Sequence, residues 1–189
     1  MINNRPKSMC QQFPYLIILF GVASNARIRG SDTTIANNEL GFQVAFSKSW
    51  TVDGEDIEKR RDITAQQSGR TYGTAARGTS PLAVGAEGSA LIIVRVLDAK
   101  KGAGLKDFVV RQNLQNFKYD EKNELKLGDI LAFREIVEDS LTKLQYTYYY
   151  GVSGNHGYIM TIAIYKSDYS KYAKEIDKTV ASFKILLTE

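Results

Sequence analysis

Apolar and polar positions first alternate cleanly over 42–47, with Phe42, Val44 and Phe46 set against Gln43, Ala45 and Ser47. A period of two is that of a half-buried strand, and Trp50 just beyond it is expected to close over the core. From residue 91, LIIVRVL is a continuous apolar run of strand length, the pattern of a central strand covered on both faces. GLKDFVVRQNLQNFK then predicts a helix, with Leu105, Phe108 and Val109 on one side and Val110, Leu114 and Phe117 on another. So broad an apolar surface is expected to pack against more than one neighbour. Three strands follow: DILAFREIVED, KLQYTYYYG and GYIMTIAIY, the last two joined across 151–157 by a glycine- and asparagine-rich hairpin. SDYSKYAKEIDKTVASF closes the pattern as a helix, with Tyr172, Ile176, Val180 and Phe183 at helical spacing and Ser167 or Asp168 as N-cap.

The tyrosine-rich strand raises the question of a ligand platform. Leu144, Tyr146, Tyr148 and Tyr150 alternate onto one face, with Gln145, Thr147 and Tyr149 on the other. The next strand is expected to match the first set with Tyr158, Met160, Ile162 and Ile164. Tyrosine favours strands and pairs well across them, and two amphipathic helices need a sheet face to pack on. The row is therefore read as core sheet, and His156, at the hairpin tip, as exposed.

Residues 27–40 are polar and aperiodic and read as a linker. Residues 53–90 read as a long variable loop or insertion, rich in Gly, Ser, Thr and Ala after a charged stretch that has room for one exposed strand. Loops of this length usually carry function or are disordered. Periodicity accounts for the rest of the chain, so partner binding is assigned here, to Arg60, Arg61, Arg70 and Arg77. Arginine suits that role through its planar, multi-donor head.

Composition sharpens the class. The 189 residues are 43% hydrophobic and 24% charged, as in an ordinary globular domain, and the formal charge is +4. Residues 1–26 have the parts of a secretory signal: Arg5 and Lys7, the apolar run PYLIILFGVA, and small residues at Ser24 and Ala26 before a cleavage point. Cleavage there leaves 23 basic residues against 21 acidic, a formal +2, too slight to argue for nucleic acid. It also removes Cys10, so no disulfide and no thiolate zinc site is expected in the mature chain. Cys10 precedes the apolar run, which argues against a lipoprotein.

Catalytic motifs do not emerge. The sequence has no G-x-S-x-G elbow and no P-loop, and GAGLKD at 102–107 lacks the rest of a dinucleotide fingerprint. Acidic groups at Asp120, Glu121 and Glu124, and at Glu135, Glu138 and Asp139, fall at turns and strand ends and match no Ca²⁺ loop. The expectation is a non-enzyme without a cofactor.

The order of these elements resembles the PsbP-like family, whose fold is shared with a Ran-binding nuclear import factor and DcrB-like bacterial proteins. The resemblance rests on GFQVAFSKSW, on LIIVRV with LKDFVVRQNL, and on YTYYYGVSGNHGYIMTIAIY before YAKEIDKTVASFKI. It covers about 41–186, and the domain is set at 41–187. It implies an α+β fold, an antiparallel β-sheet sandwiched between helices (an α/β/α sandwich), in a family of mostly non-enzymatic accessory and binding proteins. It further implies an extracytoplasmic monomer that binds a protein partner, with peripheral association with a membrane complex. In a photosynthetic organism the implied place is the thylakoid lumen, as an extrinsic subunit of photosystem II. The family's basic docking arm has no counterpart beyond RIRG at 27–30. Ca²⁺ enters only through the resemblance, and no metal ligand is carried over. The competing reading is a small-ligand carrier with a pocket between sheet and helix.

Overall fold

The computed structural model describes residues 32–53, 72–112 and 119–186. Seven antiparallel strands form the main sheet: β3 (Thr51–Asp53), β4 (Tyr72–Thr79), β5 (Leu91–Asp98), β6 (Glu124–Leu127), β7 (Ile130–Asp139), β8 (Leu144–Ser153) and β9 (His156–Tyr165). Their order is β3-β4-β5-β9-β8-β7-β6. A smaller sheet, in the order β1-β2-β10, joins β1 (Thr33–Asn37), β2 (Phe42–Phe46) and β10 (Lys184–Ile185). Helix α1 (Leu105–Gln112) packs on one face of the main sheet through Phe108 and Val109. Helix α2 (Tyr169–Ala181) and β2 pack on the other. This is the α+β sandwich that the PsbP resemblance implies.

The larger core lies on the α2 side. Phe42, Phe46, Ile92, Met160, Ile162 and Ile176 are all at most 1% exposed there. Burying a side chain of this size contributes about 1.5–3 kcal/mol. Trp50 closes this core as the sequence suggests, and its Nε1 donates to Glu175 Oε2 on α2 at 2.6 Å. The middle strand is β9, whose residues from Gly157 to Ile164 are all buried. In β5, the run read as covered on both faces, Ile93 and Arg95 on the α1 side are only half-buried. Gly157 belongs in β9 because α1 sits directly upon it: a Cβ there would lie 2.2 Å from the Phe108 ring.

Two segments read as irregular are strands. Thr33–Asn37, within the expected linker, pairs along β2. Tyr72–Thr79, within the expected 53–90 loop, pairs along most of β5. Its small residues fit a packing constraint rather than flexibility. Ala76 is fully buried, and a Cβ on Gly78 would lie 2.3 Å from the Phe46 ring.

Candidate functional site

Residues 80–90 join β4 to β5, and the main sheet and α2 hold them in place. Ser80 starts the connection by donating its backbone N–H to the Ala90 carbonyl at 2.9 Å, while its hydroxyl accepts the Ala90 N–H at 2.8 Å. Gly85 turns the chain at φ +70°, a conformation that favours glycine. Gly88 lies against the Tyr165 ring, which an added Cβ would reach at 2.6 Å. Two side chains at the start of α2 then fix the segment. Tyr172 accepts the Ala83 N–H at 2.8 Å and donates to the Gly88 carbonyl at 3.0 Å. Asp168 accepts the N–H of Glu87 at 2.6 Å and of Gly88 at 3.2 Å.

Asp168 is 1% exposed, and its carboxyl is held below the usual carboxylate range. The main cause is the hydrogen bond from the Lys171 ammonium at 2.7 Å. The Glu87 and Gly88 amides add to it, and burial opposes it. Of the two N-caps the sequence allows, Ser167 and Asp168, the helix takes Asp168, but the carboxylate makes no capping bond and turns to the loop instead. With its base fixed, the connection presents Leu82 at 63% exposure and Val84 fully exposed.

Of the four arginines assigned to partner binding, Arg60, Arg61 and Arg70 lie outside the described residues. Arg77 is not on a loop: it is a half-buried residue of β4, opposite Ile93 of β5. The pairing register carries the row onward from Ile93 to Thr161 of β9, Tyr148 of β8 and Glu135 of β7. Arg95 lies on the same face, opposite Ile159.

The tyrosine row also needs correction. Its residues face Ile159, Thr161 and Ala163, not Tyr158, Met160, Ile162 and Ile164, which belong to the α2 side with Tyr149. The hairpin turn is only Gly154-Asn155, with Ser153 opposite His156, so the strands run further into the connection than the 151–157 reading allows. A two-residue turn with glycine first, at φ +60°, fixes that parity. Tyr150 is buried under α1, while Tyr146 and Tyr148 are half-buried. Consecutive rings of the row lie near parallel with centroids 6.3 and 6.1 Å apart, within the range of offset aromatic pairs. Burial raises the Tyr148 phenol above its ordinary value, a neighbouring Tyr146 adds to this, and Arg95 opposes it. His156 is half-buried rather than exposed, its ring 6.3 Å from that of Tyr158.

Acidic residues in the two clusters serve local structure. Asp120 accepts the Lys122 N–H at 3.0 Å, and Glu124 accepts the Tyr119 hydroxyl at 2.6 Å. Glu135 accepts the Tyr150 hydroxyl at 3.0 Å, and Glu138 pairs with Lys166 at 2.8 Å. Among the described residues no three His, Cys, Asp or Glu side chains gather in a way that could hold a metal ion.

No family model matches the chain, and no curated protein sequence matches it. Solved structures do resemble it. A crystal structure from Bacteroides thetaiotaomicron superposes with a TM-score of 0.52 at 13% sequence identity, covering 83% of this chain and 49% of that one. The chain thus spans about half the length of that protein. The solution structure of cyanobacterial PsbP (CyanoP) from Synechocystis gives 0.49 at 8% identity, covering 87% of this chain and 98% of the other. At such identities the likeness concerns the fold alone.

Proposed function

We propose that this chain is an exported, non-catalytic accessory or binding protein of PsbP-like fold, and that it acts through contacts with a protein partner. One observation carries the reading: an apolar loop tip, Leu82 and Val84, stands in solvent on a base fixed by hydrogen bonds to the buried residues Asp168 and Tyr172. Ordering a loop on binding costs conformational entropy, and a loop ordered in advance has already met that cost. Exposed aliphatic side chains on such a base favour association with a complementary apolar surface. Between the tyrosine-bearing face and α1, where a carrier would hold its ligand, Phe108, Val109, Tyr150 and Ile159 are buried against one another.

Export is proposed from the sequence of residues 1–26, with its basic start, apolar run and small residues at the cleavage point. The test of the contact surface is cross-linking of the full-length protein in the envelope of its own cells, followed by mapping of the linked peptides. Links to a protein partner that cluster on 80–90 and its rim support the reading. Links confined to the exposed faces of α1 and β7 overturn it.

A further inference from the structure

We propose that β1 is a self-pairing edge: two copies of the chain associate by laying Thr33–Asn37 antiparallel against the same strand of the second copy, about a two-fold axis at Ile35. The proposal goes beyond the loop reading above and sets a dimer in place of the monomer that the PsbP resemblance implies. Strand β1 is an outer strand of the small sheet, and among the described residues nothing pairs with its free side. Its five residues, TTIAN, hold no charge and no proline, and Thr33, Thr34 and Ala36 are exposed. The outer strands elsewhere carry the devices that prevent edge-to-edge pairing. Strands β3, β6 and β10 are at most four residues long, and β4 bulges between Thr74 and Ala76. Beyond the reach of β6, β7 carries Arg134, Glu135, Glu138 and Asp139. Strand β1 lacks such a device.

The register of the pairing follows from the hydrogen-bond parity of β2. Along a strand, the N–H and C=O groups of successive residues turn to opposite sides. Ala45 turns both of its groups to the Ser182 hydroxyl, and Gly41 accepts the Leu186 N–H, so odd-numbered residues of β2 serve the β10 side. Phe42, Val44 and Phe46 therefore serve β1, through their partners Asn37, Ile35 and Thr33. That leaves the backbone groups of Thr34 and Ala36 on the free side. An antiparallel mate must meet them with outward groups of its own. Setting Thr34 against Ala36 of the second copy does so and also pairs all five residues. Ile35 then meets Ile35, hydroxyl meets amide at Thr33 and Asn37, and no like charges are opposed. The strand is its own complement, as a two-fold contact requires.

Association through so short a strand is weak, so the test is a concentration series of the protein purified from its own cells. Sedimentation equilibrium shows reversible monomer and dimer, and hydrogen exchange resolved to single amides locates the contact. Thr34 and Ala36 slow at least tenfold as the dimer forms, whereas Ile35, bonded to β2, is protected at every concentration. Ala36→Pro removes an outward N–H and no bond to β2, and weakens association at least tenfold. Where that variant does not fold, Thr34→Lys/Ala36→Lys, at two exposed positions, sets lysine against lysine and gives the same loss. Ile136→Lys, at an exposed position of β7, leaves association unchanged. A protein that stays monomeric throughout overturns the proposal. So does a dimer that keeps fast exchange at Thr34 and Ala36, or one that the folded edge variants do not weaken.

Discussion

Asp168, at the N-cap of α2, accepts the backbone N–H of Glu87 at 2.6 Å, although the two residues lie 81 positions apart. That bond joins the last helix of the fold to the connection between β4 and β5, and on the Asp168 side it is buried. A carboxylate that accepts two amides and a lysine ammonium is satisfied in the charged form. Its protonation or removal therefore acts on the loop first.

Replacing Asp168 with Ala should release residues 80–90 while leaving the main sheet folded. Hydrogen exchange at the Glu87 and Gly88 amides should accelerate strongly, with that of β9 little changed. Unchanged protection at Glu87 would show that Asp168 does not hold the loop.

The same bond sets a pH dependence of known sign. A depressed native carboxyl contributes stability that is fully present above about pH 4, where the unfolded carboxylate is also ionised. The contribution is lost as pH falls through the depressed native value. Exchange at Glu87 and Gly88 should thus rise on acidification in the wild type, and Asp168→Ala should abolish that component of the response.

At the opposite end of the sheet, Gly128 turns β6 into β7 at φ +57°, where an added Cβ would lie 1.6 Å from the Phe183 carbonyl oxygen. Both the conformation and the backbone contact exclude a side chain. Gly128→Ala should cost at least about 2 kcal/mol in urea unfolding. Gly102→Ala serves as the contrast: it shares a positive φ, +75°, but meets nothing within 4 Å, and should cost only about 1–2 kcal/mol.

Tyr158 is buried, and its hydroxyl donates to the Leu40 carbonyl at 3.0 Å. Burial pushes this phenol up to about 12. A raised native phenol contributes stability that is present below its unfolded value and lost as pH rises through the native one. Spectrophotometric titration of wild type and Tyr158→Phe should differ by one late-ionising tyrosine. Loss of the bond itself should cost about 1 kcal/mol at neutral pH.

The regular elements were legible because their side chains obey the periods of strand and helix. Phe42, Val44 and Phe46 alternate, and Tyr172 and Ile176 are spaced by one helical turn. What stayed hidden depends on distant neighbours. β4 reads as a loop because alanine and glycine have low strand propensity, yet Phe46 leaves no room at Gly78 for anything larger. The face of the tyrosine row turned on a single residue of turn length. Arg77 was visible as a basic residue, but its place beside Arg95 and Thr161 follows only from pairing register. Asp168 looked like a local cap, and nothing nearby in the sequence announces its partners at Glu87 and Gly88. A signal existed in residues 80–90 themselves, where Leu82 and Val84 are aliphatic within a stretch that, Glu87 aside, is otherwise made of turn-forming and small residues.

The central claim is that this fixed loop presents its apolar tip to a protein partner. The direct measurement compares capture of partner from the cell envelope by wild type and by a Leu82→Ser/Val84→Ser variant. Both side chains are exposed, so each substitution should change stability by no more than about 0.5 kcal/mol, which a parallel urea melt checks. The account predicts that the folded variant loses at least tenfold of the captured partner. A folded variant that captures the same partner as well as wild type would contradict it.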